Sequence, residues 1–346
     1  MTSYANVARS VFGTPWYVLP EQLQLITAIV QARIAGERPG DAEIAERVEA
    51  AQAAQGARSG RRTSGAVAVI PVYGTLIPRA NLFAQMSGAT SVEQVRNAFR
   101  EAMADETIGS ILLEFDSPGG QVDGIDELAT EIRDARGSKP IVAIANTLCA
   151  SAAYYLAAQA DEVVATPSAM VGSIGTVMVH LEESTRMATE GTTATVIRSQ
   201  DTKYEGNAFE PLTEGARAHL QSIVDGYDEM FVKAVAKGLG VPPEKIRGMG
   251  DRGRAFMAKD AQSKGLVDRV DTVDETIRRM ASGRTRIGRA TTGAIDAAAI
   301  ADALEVPEAL LEETPAEAAA HDEREAFRAE LSARLELDRD AWLFNS

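Results

Sequence analysis

The sequence predicts an α/β protein built on a largely parallel, buried sheet. Short β-branched runs recur at 66–72 (AVAVIPV), 110–115 (SILLEF), 140–145 (PIVAIA), 162–166 (EVVAT) and 194–199 (ATVIRS). Stretches with helical periodicity, 91–104 and 121–136, separate several of them. Strands that are apolar throughout are buried on both faces, and alternation of such strands with helices is the pattern of parallel crossovers.

Ahead of the first run, residues 21–35 place Leu23, Ile26, Val30 and Ile34 on one helical face, with Pro20 and Glu21 suited to the start and Gly36 to the stop. Residues 37–65 are polar and end in SGRRTSG, so any helix near 41–54 gives way to an exposed linker. A boundary is expected near Thr63, which makes 1–62 an N-terminal helical extension and 63–282 the main domain. After the last β-branched run, 213–239 reads as a long amphipathic helix, and 243–282 as shorter helices with a turn or strand around Gly265–Val270. Residues 283–346 form a tail. From 296 onward it holds fourteen Asp and Glu against four Arg, two thirds of the molecule's net charge. It reads either as a solvated solubilising tail or as a partner-binding arm, with Trp342, Leu343 and Phe344 as a docking point.

The composition of the 346-residue chain excludes several classes. With 45% hydrophobic and 25% charged residues it is globular rather than disordered. One cysteine, Cys149, and three scattered histidines give neither a disulfide framework nor a zinc-ligand spacing, so no metal or other cofactor is expected. A net charge of −15 opposes contact with nucleic acid and anionic lipid. No apolar run approaches the ~20 residues that cross a bilayer, and Met1 to Pro20 does not read as a signal peptide, so the expectation is a cytoplasmic protein without a membrane anchor.

Three stretches carry chemistry. In FDSPGGQVDG (115–124), Pro118 stiffens a strand-to-helix turn. Gly119 and Gly120, lacking Cβ, let a ligand approach the backbone and turn their N–H groups toward a developing negative charge. The same pattern also serves as an ordinary tight connection. In NTLCASAAYYLAAQADEVVATPSAMVGSIGTV (146–177), Ser151 lies between a strand and a helix, where the dipole favours an anion. Small neighbours admit a substrate backbone, and the Ala152 amide offers a further donor. Read alone, Ser151 is better suited to capping its helix, a common role for serine. In SQDTKYEGNAFEPLT, Lys203 sits on a loop after 194–199. It is a better base than His180, His219 or His321, of which only His180 lies near the motifs, as a surface or packing residue. To take a proton near neutral pH a lysine must be buried beside apolar groups, and a solvated loop lysine would not serve.

Taken in this order, D-S-P-G-G, A-S-A-A-Y-Y-L-A, G-S-I-G and the lysine loop resemble the signal peptide peptidase A family of serine peptidases. Within it they resemble the shorter bacteriophage members that act as capsid assembly proteases, and the S-V-F-G-T-P-W-Y-V-L-P-E stretch (10–21) resembles those as well. The resemblance covers about 66–282. It implies the Clp-protease/crotonase-like superfold, a spiral of β-β-α units, and a homo-oligomer such as a ring. It also implies Ser151 as nucleophile, Lys203 as general base, Gly119, Gly120 and Ala152 as the oxyanion region, and Ser173 as the hydroxyl orienting the lysine. The implied substrates are proteins or peptides, capsid and scaffold proteins for a phage enzyme working in the host cytoplasm or procapsid. The chain's exposed stretches 55–65 and 283–295 are candidate self-cleavage sites. Two departures stand out: Ala152-Ala153 follow the serine where relatives often have Gly-Gly, and the chain opens on an amphipathic helix where cellular members carry a membrane anchor. The rival readings are a host-type signal peptide peptidase, a non-catalytic virion scaffold protein, and acyl-CoA chemistry on the crotonase fold.

Overall fold

The computed structural model describes residues 11–34, 62–64, 66–79 and 89–285, all within the first of the two units into which the chain divides, Met1–Thr292. The expected helix near 41–54, the self-cleavage stretch 55–61 and the tail from 286 lie outside the described residues. In chain order the elements are β1 (Trp16–Val18), α1 (Pro20–Ile34), β2 (Arg62–Ser64), β3 (Val67–Tyr73), β4 (Leu76–Ile77), β5 (Thr90–Ser91), α2 (Val92–Ala104), β6 (Ser110–Ser117) and β7 (Gly119–Gln121). There follow α3 (Ile125–Asp134), β8 (Ile141–Ala150), α4 (Ala152–Ala157), β9 (Glu162–Ala165), β10 (Met170–Gly172), α5 (Ser184–Thr189), α6 (Glu214–Leu239), α7 (Pro243–Arg247), β11 (Ala255–Met257), α8 (Ala258–Ser263), β12 (Arg269–Val270) and α9 (Val273–Ala281).

The α/β reading holds. β3, β6, β8 and β9 pair in parallel, Val67 opposite Ser110, Ile111 opposite Ile141 and Val142 opposite Glu162. Successive side chains of a strand point to opposite faces, and both faces here are dry. Val67, Val69, Leu112, Val142, Ile144 and Val164 form one cluster with Met280 of α9. Ala68, Ile70, Val72, Ile111, Leu113, Phe115, Ala143 and Ala145 belong to the larger cluster, packed with residues of α2, α3, α4 and α6. A second, smaller sheet runs β1-β7-β4-β5.

Three packing details place the functional turns. β8 keeps β6 along one edge but changes partner on the other, from β9 at 142–145 to β10 at 148–150. Its last residues therefore lie beside the Gly172 turn. At Gly238 an added methyl would collide with the Ala158 carbonyl, so α6 packs hard against the end of α4. Arg136 holds the joint by donating to the carbonyls of Ala158, Gln159, Ala160 and Gly238 at 2.6–3.1 Å.

One expected strand is corrected. Residues 194–199 form no strand, and Ile197 is 94% exposed. β-branched propensity needs a partner edge to act on, and among the described residues none lies alongside. At 174–179 there is a single antiparallel bridge, Val177 with Trp16. The helix expected over 121–136 starts only at Ile125, after the left-handed Gly124, because 119–121 is taken up as β7.

Candidate active site

The serine turn is built from the end of β8. Ala150 pairs with Gly172 across the parallel β8–β10 register, and the Ser151 amide donates to the Gly172 carbonyl at 2.7 Å. Pinned there, with α4 starting at the next residue, Ser151 takes φ 55° and ψ −117°. That conformation is foreign to residues with a side chain and stores about 1–3 kcal/mol. The residue is fully buried, and Oγ has no hydrogen-bond partner among the described residues. A helix-capping serine accepts from an amide of the first turn; Ser151 makes no such bond. Its neighbour Cys149 is equally buried, and loss of hydration pushes its thiol well above the usual range, leaving it a packing group.

The glycine turn approaches from the other side. Gly119 has φ 99°, and a methyl built on it would sit 3.0 Å from the Ala152 nitrogen and from the Ala150 carbonyl, and would collide with the Tyr17 carbonyl. A methyl on Gly120 would collide with the Leu76 backbone. Only glycine fits either place. The Gly119 amide donates to Ser117 Oγ at 3.2 Å, and that hydroxyl in turn donates to the Gly74 carbonyl at 2.7 Å. The amide expected to face an oxyanion is thus held here by a long bond within its own loop.

Ser173 is the second strained serine, with φ 56° and 5% exposure. Its amide donates to the Arg254 carbonyl at 2.8 Å, and the Ile174 amide to the Arg252 carbonyl at 2.7 Å. The Arg252 guanidinium donates back to the Ile174 carbonyl at 3.2 Å and to both oxygens of Asp228, at 2.8 and 2.6 Å. The Asp228 hydrogen bonds raise the Arg252 pKa. No sequence motif marked this clamp, because its two members lie 24 residues apart in segments that otherwise read as surface.

Lys203 lies elsewhere. It is exposed on a turn closed by its own amide to the Gln200 carbonyl at 2.9 Å, followed by Tyr204 at φ 82°. The turn belongs to an arm held by Arg198 and Asn207 on Glu210, whose carboxyl these bonds keep below the usual range, with Asn207 contributing most. His180 ties the arm down through Nε2 and the Gly206 carbonyl at 3.0 Å, a packing role. The structure thus brings Ser151, Ala152, Gly119 and the Gly172–Gly175 turn together. It leaves the Lys203 amine outside hydrogen-bond reach of Ser151 Oγ, without the burial a base requires.

A buried, strained serine at a strand-to-helix turn, facing a glycine turn across a parallel sheet, is an arrangement suited to acyl transfer. Residues 133–286 match the model of peptidase family S49, and the chain carries a domain of that family. Among its relatives, the head-tail preconnector protein GP5 of Enterobacteria phage P21 is 32% identical over 221 residues, 64% of this chain and 44% of that protein. The capsid assembly protease C of Escherichia phage lambda is 30% identical over 238 residues, 65% of this chain and 54% of that one. A putative signal peptide peptidase SppA of Enterococcus faecium is 27% identical over 180 residues, 51% and 52% of the two chains. The chain spans about half the length of each of these relatives. Among the described residues no helix is long and apolar enough to cross a membrane, and no cluster of His, Cys, Asp and Glu could hold a metal ion.

Proposed function

We propose that the chain is a serine endopeptidase of the phage capsid assembly type, with Ser151 as nucleophile and Lys203 as general base. The observation that carries this reading is Ser151 itself: strained, buried, with an unpartnered hydroxyl, at the start of α4 where the Gly119 turn packs close. Buried polar atoms are rarely left unsatisfied without a role. In the reaction, neutral Lys203 takes the Ser151 proton, the serine oxygen adds to a peptide carbonyl, and the Ala152 and Gly119/Gly120 amides hold the oxyanion. The amine leaves with a proton, and water then releases the acyl group.

Lys203 gains its burial when copies of the chain assemble. The arm that carries it presents Ile197, Tyr204 and Phe209 to solvent, an apolar surface suited to a neighbouring copy. The domain takes the Clp-protease/crotonase-like superfold over 63–282, with Ser173 orienting the lysine. The extension 1–62 and the acidic tail 283–346 serve recognition of capsid or scaffold proteins in the host cytoplasm or procapsid. The similarity to a putative signal peptide peptidase favours one second reading, the clearing of cleaved signal peptides.

Co-expression with capsid and scaffold proteins tests the proposal by mass spectrometry. Wild type yields defined fragments, and Ser151→Ala and Lys203→Ala yield none. Equal cleavage by all three rejects the pair. Cleavage confined to membrane-associated signal peptides favours the second reading.

A further inference from the structure

The first strand runs between the two chain segments that leave the turns beside Ser151. A peptide that delivers its carbonyl to Ser151 must run between the two chain segments that leave the serine's neighbouring turns. One is β7, which continues from Gly119; the other is 176–179, which continues from the Gly172–Gly175 turn. Extended peptides bind such edges by adding a strand. Both edges are already taken by residues 13–19. On one side Trp16, Tyr17 and Val18 pair antiparallel with Gln121, Gly120 and Gly119, and the Leu19 amide donates to the Pro118 carbonyl at 2.9 Å. On the other side Trp16 and Val177 exchange both amide bonds, at 2.9 and 3.0 Å, and the Gly13 amide donates to the Val179 carbonyl at 2.9 Å.

The fit is close. The Tyr17 carbonyl lies against Gly119 so tightly that a methyl there would collide with it, and the same methyl would be 3.0 Å from the Ala152 nitrogen. The Tyr17 ring stacks on Tyr155 of the serine helix at 5.6 Å between centroids, and its hydroxyl donates to the Tyr227 carbonyl at 2.8 Å. Trp16, Tyr17 and Val18 are at most 3% exposed, and Ser151 is shut off from solvent.

Resting on the reading of Ser151 as nucleophile, we propose that residues 13–18 are a built-in occupant of the peptide cleft, a strand that holds the substrate's place and must leave before the serine can be acylated. The cleft's ligand class is then an extended polypeptide pairing antiparallel on both edges, and this chain carries its own competitor.

A reversible lock tests it in the full-length chain. Trp16 and Gln121 are directly paired, so Trp16→Cys with Gln121→Cys places two thiols within disulfide reach across an antiparallel pair. Ser151 phosphonylation by a fluorophosphonate, in which Oγ displaces fluoride from phosphorus, is followed by intact mass. The reduced form labels at least ~10-fold faster than the oxidised form; equal rates overturn the inference while leaving the nucleophile in place. No adduct on Ser151 in either form, or in wild type, removes the nucleophile and the inference with it. A measurement on the unaltered chain guards against a misfolded variant. After reaction with a peptidyl phosphonate, the Gly13 and Trp16 amides, released with the strand, exchange with deuterium at least ~10-fold faster than before, and unchanged protection in the phosphonylated chain overturns the inference.

Discussion

The two halves of the proposed catalytic pair sit in opposite physical settings. Ser151 is held by a parallel sheet on one side and a helix on the other, buried and forced to φ 55°. Lys203 stands on an exposed turn of an arm that forms no strand, with strain only at the following residue, Tyr204. Among the described residues, the non-glycine positions with positive φ are Ser151, Ser173 and Tyr204, each at or next to a motif. Strain persists only where surrounding contacts over-determine it. At Ser151 and Ser173 those contacts are β8, β10 and the Arg252 clamp. At Tyr204 they are the turn and a ring contact with Phe209 at 6.5 Å. The serine side is finished by the fold of one chain, whereas in the proposed enzyme the lysine side is completed only by assembly.

The largest effects separate chemistry from folding. Ser151→Ala and Lys203→Ala each remove turnover by about 10⁴-fold or more in a peptide assay, because residues acting as a unit fail together. Lys203→Arg fails as fully as Lys203→Ala, since a guanidinium does not give up its proton at neutral pH. In urea denaturation the two sides part. Ser151→Gly relieves the backbone and raises stability by about 1 kcal/mol, whereas Lys203→Ala leaves the midpoint where it was. Equal stability changes at the two positions would break the contrast.

Next in size is Gly119→Ala, which meets both a positive φ and the Tyr17 carbonyl. It costs about 1–3 kcal/mol from backbone strain alone, and turnover falls about 10²-fold or more as the amides shift. Ile197→Asp sharpens the comparison from the other side: the melting of a dilute single chain is unchanged, while sedimentation shows loss of assembly. An assembly that survives the aspartate removes the arm from the interface. The smallest expected effect is at Cys149, which resists alkylation at pH 8 in the native protein and reacts on unfolding. Ready alkylation of the folded chain contradicts the burial beside Ser151.

What the sequence reveals follows the same division. Runs such as VAVIPV and ILLEF are legible because a strand buried on both faces is apolar at nearly every position, Glu114 being buried with Asn146 donating to its carboxylate at 2.8 Å. ATVIRS is β-branched at Thr195, Val196 and Ile197 yet forms no strand, since propensity says nothing about which edge is available. The converse holds for β7: Gly-Gly-Gln carries no strand signal and becomes one through pairing with β1 and β4. The serine and glycine turns are legible as residue types, but the positive φ of Ser151 comes from its bond to Gly172 and is invisible locally. The Arg252–Asp228 clamp and the insertion of Trp16 and Tyr17 beside the site are tertiary facts with no local mark.

One measurement bears most directly on the pairing of serine and lysine: intact mass after exposure of the assembled protein to a fluorophosphonate, for wild type and Lys203→Ala. A single adduct mapped to Ser151 in wild type, and none in the lysine variant over the same time, is the expected result. An adduct that forms on Ser151 equally fast without Lys203 would contradict the account.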